Sequence, residues 1–489
     1  MSYVQKTSLT LLVILGSIIP GIASSSDTID AIITLPQHYS DNDMPSHVIE
    51  WDGEAVIPEY DEVWFTDGTD EGTRILDLPE GYDVAAWETH DQRNYRYHAF
   101  DSGKLYFRAR KEGMTLRQNI LVTDGETIEP VVEGDIVGHR NIQVIAPYGD
   151  RIAYTASVDD GLGARLFLVD EDQPGGARQL TALGNLIIGS AQGGGRNSMA
   201  AIGQSLYFAA RDEDSGESAL YKLDQAGNAS IIESYGVSDP VRTWPRGLIV
   251  AGDDLYFQAS DEPDEDWRLW IYRNGDLTPL TDPSEEAEDM RAPLGLIPNS
   301  EGDRVFFLAK PWDNDEQDHL DNFRLAITDG TPEGTNTYWH NDLGDGEVTG
   351  RRRAGADHLI FTAPFDADDG RRYWYTDGTS SGTQMITING SAFYRTFSSA
   401  AETTVATSEH GAWFFAGGEQ VVHFDTRGLT SFIPGPEELD FYSDLVVIDD
   451  LAWFSANDDG WAGDVWLWRI PEMPEPESDL FSDRFEVID

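Results

Sequence analysis

The chain has no cysteine among its 489 residues. Disulfides, thiolate metal centres and thiol nucleophiles are therefore excluded, and the fold must be held by packing and hydrogen bonds alone. Basic residues are scarce: 33 Lys and Arg face 88 Asp and Glu, giving a formal net charge of −55. Such a field repels nucleic acid and anionic membrane surfaces, so neither is expected as a partner. Long apolar runs are also missing. The longest, Leu9 to Ile19, is shorter than the roughly 20 residues of a membrane-spanning helix, so no integral span is expected.

That run follows Lys6 and ends in the small residues Gly21-Ile22-Ala23, the layout of a secretory signal peptide with cleavage after Ala23. The expected location is secreted, extracellular or periplasmic, and a monomer is favoured. Standard catalytic patterns are absent as well. The 10 histidines form no HExxH pair, Gly-x-Ser-x-Gly does not occur, and the glycine stretch Gly189 to Gly195 is not followed by the lysine of a phosphate loop.

What is present is a repeat. The phrase Leu-Tyr-Phe-x-Ala at Leu105 to Ala109 returns as Ile152 to Ala156, Leu206 to Ala210, Leu255 to Ala259, Val305 to Ala309, Leu359 to Ala363, Ala412 to Ala416 and Ala452 to Ala456. The spacings are 47, 54, 49, 50, 54, 53 and 40 residues, the length of one supersecondary unit in a repeat protein. Each copy is preceded by a short β-like run and a Gly/Asp turn, as in Leu248 to Phe257, and is followed by an acidic loop and a third run such as Arg268 to Tyr272. A fourth, more variable strand such as Leu277 to Leu280 closes the unit. Four short strands per unit, with no helical periodicity between them, predict an all-β fold: a β-propeller of four-stranded antiparallel blades, eight in number with seven as the alternative.

The turn between third and fourth strands carries its own signature. It is complete at Thr66-Asp67-Gly68-Thr69-x-x-Gly72-Thr73, at Thr328-Asp329-Gly330-Thr331-x-x-Gly334-Thr335 and at Thr376-Asp377-Gly378-Thr379-x-x-Gly382-Thr383, and weaker at Thr123-Asp124-Gly125 and around Asp170. Asp can accept backbone N–H bonds in an Asx-type turn, and Gly permits a positive φ, so these residues predict turn construction rather than catalysis. With its flanking strands the motif resembles the bacterial repeat family written ELWxTDGTxxGT, found as tandem blades in large exported proteins. The resemblance implies a propeller scaffold and brings no catalytic set with it.

The expected organisation is a signal peptide over 1–23, a polar lead-in over 24–58, the propeller over 59–470, and a Pro/Glu-rich linker with a short tail over 471–489. The last unit lacks a fourth strand after Ile470 while the first offers only a third and a fourth, at Val63 to Thr66 and Thr73 to Leu78. An N-terminal strand is therefore expected to complete the last blade.

Two groups of polar residues are candidate sites. The acidic loops after the second strands offer Asp212 and Asp214, Asp261, Asp264 and Asp266, Asp313 and Asp315, and Asp366, Asp368 and Asp369 as calcium ligands, since Ca²⁺ takes six to eight hard oxygens. A solvated acidic rim is the alternative reading of the same residues. Arg351, Arg352, Arg353, Arg371 and Arg372 are candidates to grip an anion such as a sugar carboxylate or sulfate, beside simple neutralisation of nearby Asp. The function expected is a non-enzymatic binding or interaction module for a surface polysaccharide or protein. The alternative is a polysaccharide-active hydrolase or lyase working at the propeller mouth. A charge of −55 further predicts a lower melting temperature in about 20 mM buffer than in molar salt, because salt screens the repulsion. Equal melting temperatures would remove that expectation.

Overall fold

A computed structural model describes residues 30–34, 49–58, 62–69, 71–83, 98–101, 103–111, 118–158, 163–170, 172–179, 186–188, 199–234, 245–260, 267–282, 290–310, 312–313, 318–319, 323–338, 348–354, 358–365, 368–388, 391–392, 405–407, 411–416, 420–425, 430–433, 440–441, 446–448, 451–457 and 465–470. Nearly all of them lie in antiparallel strands or in the turns between them.

Among the described residues the strands include nine four-stranded units, hereafter sheets one to nine in chain order. Sheet five shows the pattern plainly: Arg246–Ala251, Asp254–Ala259, Arg268–Arg273 and Asp276–Pro279 pair in sequence order. First strands of successive sheets neighbour one another, from His98–Asp101 of sheet two beside Arg140–Tyr148 of sheet three onward to Val446–Ile448 of sheet nine, which lies beside Ile49–Trp51 of sheet one. In sheets two, four and nine the place of the first strand is shared by two short pieces on the same partner. In sheet four, for example, Leu186–Ile188 and Met199–Ile202 both pair with Ser205–Asp212.

Why the repeated phrase is apolar at successive positions follows from this stacking. A strand alternates its side chains between two faces, and here both faces meet a neighbouring sheet. Leu255, Phe257 and Ala259 pack with Tyr207, Ala209 and Leu220 of sheet four, while Tyr256 packs with Val305, Phe307 and Ala309 of sheet six. Phe306 and Leu308 in turn meet Leu359, Phe361 and Trp374 of sheet seven. The first, third and fifth residues of the phrase thus face the preceding sheet and the second faces the following one.

The count is one more than the eight expected. Sheet one is complete: Ile49–Trp51 and Glu54–Pro58 precede Glu62–Thr66 and Arg74–Asp77. Its second strand reads Glu-Ala-Val-Ile-Pro and so lacks the aromatic phrase, yet Val56 is buried against Leu105 and Phe107 of sheet two just as the phrase would be. Asp52 and Gly53, with φ of 53° and 80°, form the tight hairpin that joins its first two strands. The stretch 24–58 is therefore not a lead-in alone, because it supplies half of sheet one and one further strand.

That further strand is Asp30–Thr34. It pairs antiparallel with Val465–Ile470, with Asp30 opposite Arg469 and Thr34 opposite Trp466, and so provides the missing fourth strand of sheet nine. The N-terminal strand expected to complete the last blade is present, and it comes from upstream of sheet one.

Removing residues 24–36 should bare the edge of the strand Val465–Ile470, whose sequence Val-Trp-Leu-Trp-Arg-Ile is strongly β-forming. The expected result is a lower melting temperature and self-association on a sizing column. A truncated chain that melts and elutes like the parent would show that the pairing with Asp30–Thr34 contributes little.

Candidate functional site

The three complete turns share one hydrogen-bond network. In sheet six, Asp329 Oδ1 accepts from Thr331 N at 2.9 Å and from Thr331 Oγ1 at 2.6 Å. Thr331 Oγ1 accepts from Gly334 N at 3.0 Å, and Thr335 Oγ1 donates to Thr331 O at 2.6 Å. The hydroxyls of Thr328 and Thr335 meet at 2.7 Å, and Gly330 N donates to Thr328 Oγ1 at 3.0 Å. The same bonds recur around Asp67 and Asp377.

Two glycines are required for different reasons. A Cβ on Gly334 would fall 2.1 Å from Asp329 Oδ1, so the carboxylate occupies the space of that side chain. Gly330 has φ of 83°, and a Cβ there would meet Tyr256 Oη at 2.6 Å and Ile271 Cδ1 at 3.0 Å in sheet five. Gly378 is seated likewise on Ile327 and Phe306 of sheet six, and Gly125 on Trp51 and Arg74 of sheet one. Arginines of the preceding sheet hold two of these turns. Arg74 Nε donates to Gly125 O at 2.8 Å while its guanidinium forks onto Glu54, and Arg304 Nη1 donates to Asp377 O at 3.4 Å. The motif therefore builds the turn and docks it on the neighbouring sheet. In sheet five, Asn274 and Gly275 replace it with a two-residue hairpin, φ 53° and 95°.

These bonds also set the acid chemistry of the turns. The Thr331 hydroxyl holds the Asp329 carboxyl below its ordinary range, and backbone N–H groups do the same for Asp124, Asp212 and Asp224. Burial beside Asp254 pushes the Tyr256 hydroxyl up to about 12.

The acidic loop of sheet four is a turn of this kind. Asp212 Oδ1 accepts from Asp214 N at 3.0 Å and Ser215 N at 2.8 Å, so this oxygen serves the chain's own backbone. Asp368 and Asp369 lie within the strand Asp368–Thr376, with Asp368 opposite Phe365, and not in a curled loop. Asp313 belongs to a small two-stranded ribbon, opposite Asp318. Asp261, Asp264, Asp266, Asp315 and Asp366 lie outside the described residues. Among the described residues, no three His, Cys, Asp or Glu side chains are grouped to hold a metal ion.

The arginines do not form one cluster in the strand order. Arg351, Arg352 and Arg353 belong to the first strand of sheet seven, Thr349–Ala354, with Arg352 opposite Ile360 and Arg353 opposite Leu359. Arg371 and Arg372 open its third strand, opposite Pro364 and Ala363. Arg372 is buried, 5% exposed, which removes it from a solvent-facing anion site. Its place recurs: Arg165, Arg268 and Arg324 each stand opposite the alanine that ends the repeated phrase. The small alanine leaves room for the long side chain across the ladder, so these arginines are part of the blade.

One polar site lies where the repeat is broken. Between sheets two and three is an open cleft of about 460 Å³, lined by Tyr106, Asp150, Arg151, Ile152, Val169, Asp170, Asp172 and Arg178. In the sequence, Val169-Asp170 is followed by Glu171 where the complete motif has Thr-Asp-Gly. Here the chain turns outward through the 3₁₀ segment Pro174–Gly176, and Gly175 O accepts from Glu133 N of sheet two at 3.1 Å. A Cβ on Gly176 would strike Val131 O at 1.6 Å, which shows how closely this loop is pressed on the outer edge of sheet two. Tyr106 holds the position in its phrase that Tyr256 holds in sheet five. Beside Tyr256 a turn glycine is seated; beside Tyr106 there is the cleft. Arg178 Nε pairs with Asp170 Oδ2 at 3.2 Å, and Asp150 and Asp172 are exposed at its rim.

Sequence reading did not single out these residues. The signal was the weakened motif around Asp170 combined with the tyrosine of the preceding unit. The two are joined only once the stacking of sheets is known.

No protein-family model and no curated protein matches the chain. Solved structures that resemble it are propellers or contain them. A prolyl endopeptidase is 12% identical over 78% of this chain, with a TM-score of 0.42, and this chain spans 56% of its length. The β-propeller domain of the Trilobed protease from Pyrococcus furiosus, described as having an open velcro topology, is 10% identical over 78% of this chain and all of its own, TM-score 0.35. BamB from Moraxella catarrhalis is 11% identical over 90% of this chain and all of its own, TM-score 0.37. The order and stacking of the described sheets make the chain an all-β propeller.

Replacing Gly334 by Ala should destabilise the protein by about 1–3 kcal/mol, since the new methyl displaces the Asp329 carboxylate from its bonds. Thermal melting checks this, and an unchanged melting temperature would contradict the network. The depressed carboxyls also give a pH signature. Their stabilisation is complete above the unfolded-state value of about 4 and is lost as pH falls through their lower folded values. Asp329→Asn should accordingly lower the melting temperature at pH 7 relative to the parent, with the difference closing on acidification below about pH 4.

Proposed function

We propose that this chain is an exported propeller that acts as a non-enzymatic binding module for a surface polysaccharide or protein. The observation that carries the reading is the contrast between turns. Where the motif is complete, its carboxylate and hydroxyls bond to one another and its glycine docks on the next sheet. In sheet three the motif is lost, and a solvent-open cleft with both carboxylates and guanidiniums takes its place. Polar groups that depart from the repeat thus line the cleft beside the turns of sheets two and three, which suits a surface-binding role.

Export is supported by the signal-like segment Met1 to Ala23. The resemblance of the turn motif to the exported ELWxTDGTxxGT repeats points the same way. In binding assays with surface polysaccharides, the mature chain should associate saturably and leave the polymer at its original length by mass spectrometry. Accumulation of shorter products, hydrolytic or unsaturated, would overturn the reading in favour of a hydrolase or lyase.

A further inference from the structure

We propose that the cleft between sheets two and three is a saccharide subsite that holds an uncharged sugar unit through its hydroxyls. The inference rests on the binding-module reading and names its ligand and its place. Size is the first argument. At about 460 Å³ the cleft falls within the roughly 300–1,000 Å³ of small-molecule sites.

Chemistry is the second. The walls present acceptors at Asp150, Asp170 and Asp172 and donors at Arg151 and Arg178, with apolar carbon from Ile152 and Val169. A carboxylate accepts only and a guanidinium donates only, whereas a sugar hydroxyl does both, so a polyol can engage the two sets together. A ligand bearing its own carboxylate or sulfate would face three carboxylates with two guanidiniums, both already paired, Arg178 with Asp170 at 3.2 Å and Arg151 with Asp150 at 3.9 Å. A cationic ligand would in turn stand against Arg151 and Arg178. A divalent metal would need three carboxylates grouped around one point, and these are not so grouped.

Origin is the third argument. The cleft lies beside Tyr106, the residue whose counterpart Tyr256 meets a turn glycine. It stays open because the loop through Pro174–Gly176 is anchored outward by Glu133 N to Gly175 O and by the close approach of Gly176 to Val131. The opening is therefore a built feature of the loop, held by its own contacts.

The test uses the mature full-length chain and titration calorimetry with defined neutral oligosaccharides of glucose, mannose and galactose, and with oligogalacturonates as the charged comparison. Asp150 and Asp172 are exposed, so Asp150→Ala and Asp172→Ala should fold normally. Each is expected to weaken neutral-sugar binding at least tenfold with an unchanged melting temperature. A third variant replaces Val169 to Arg178 by the sheet-six sequence Thr328 to Asn336, which returns a glycine to its seat beside Tyr106, and should abolish binding. Neutral-sugar binding that is unaffected in Asp150→Ala and Asp172→Ala would overturn the subsite and leave the binding-module reading standing. Binding of oligogalacturonate alone, or of none of these sugars, would overturn the ligand class. Cleavage of the sugars would instead count against the binding-module reading itself.

Discussion

The structure depends on the seating of a turn glycine against the preceding sheet. At Gly125, Gly330 and Gly378 the backbone carries a positive φ, and the missing Cβ lets the turn rest on side chains of the neighbouring unit. A β-sheet unit of four short strands cannot bury two faces by itself, so its stability comes from stacking. The Asp and Thr groups of the same turn fix the glycine in that conformation through bonds that close within the loop. Local hydrogen bonding and sheet-to-sheet packing are thereby coupled in one eight-residue segment. This explains why a chain without disulfides retains the motif intact in sheets one, six and seven.

Much of this was legible in the sequence, for physical reasons. The phrase Leu-Tyr-Phe-x-Ala is apolar at consecutive positions because its strand is buried on both faces, a pattern that an exposed or one-sided strand does not show. The chemistry of Thr-Asp-Gly-Thr announced a turn, and the turn is there. The first half of sheet one escaped notice because its second strand, Glu54–Pro58, reaches the same burial with Ala-Val-Ile and no aromatic. The strand Asp30–Thr34 was foreseen as a need of the last blade, but not placed, since five residues carry too little pattern to declare a partner more than 400 residues away. The candidate loops around Asp212 and Asp368 looked alike as strings of acids. Folding separates them, one into a backbone-capped turn and the other into a strand.

The cleft illustrates what a single sequence conceals. Its residues come from two units, and none is unusual in type. Only the registration of sheet three on sheet two brings Tyr106 and Asp170 to the same cleft. Arginine has the opposite lesson. Arg372 stood out because basic residues are rare, yet its equivalents at Arg165, Arg268 and Arg324 reveal a recurrent blade position opposite a small alanine. In a repeat protein, function is sought where units differ, and rarity along the chain is a poor guide until the units are superposed.

The seating of the turn on its neighbour is tested most directly by a double-mutant cycle between Gly378 and Ile327. A Cβ on Gly378 would lie 2.3 Å from Ile327 Cδ1 across the junction of sheets six and seven. The account predicts that Gly378→Ala costs less stability in an Ile327→Ala background than in the parent, by about 1 kcal/mol of coupling, because the smaller neighbour makes room. An equal cost in both backgrounds would contradict it, leaving only the local strain of a positive φ.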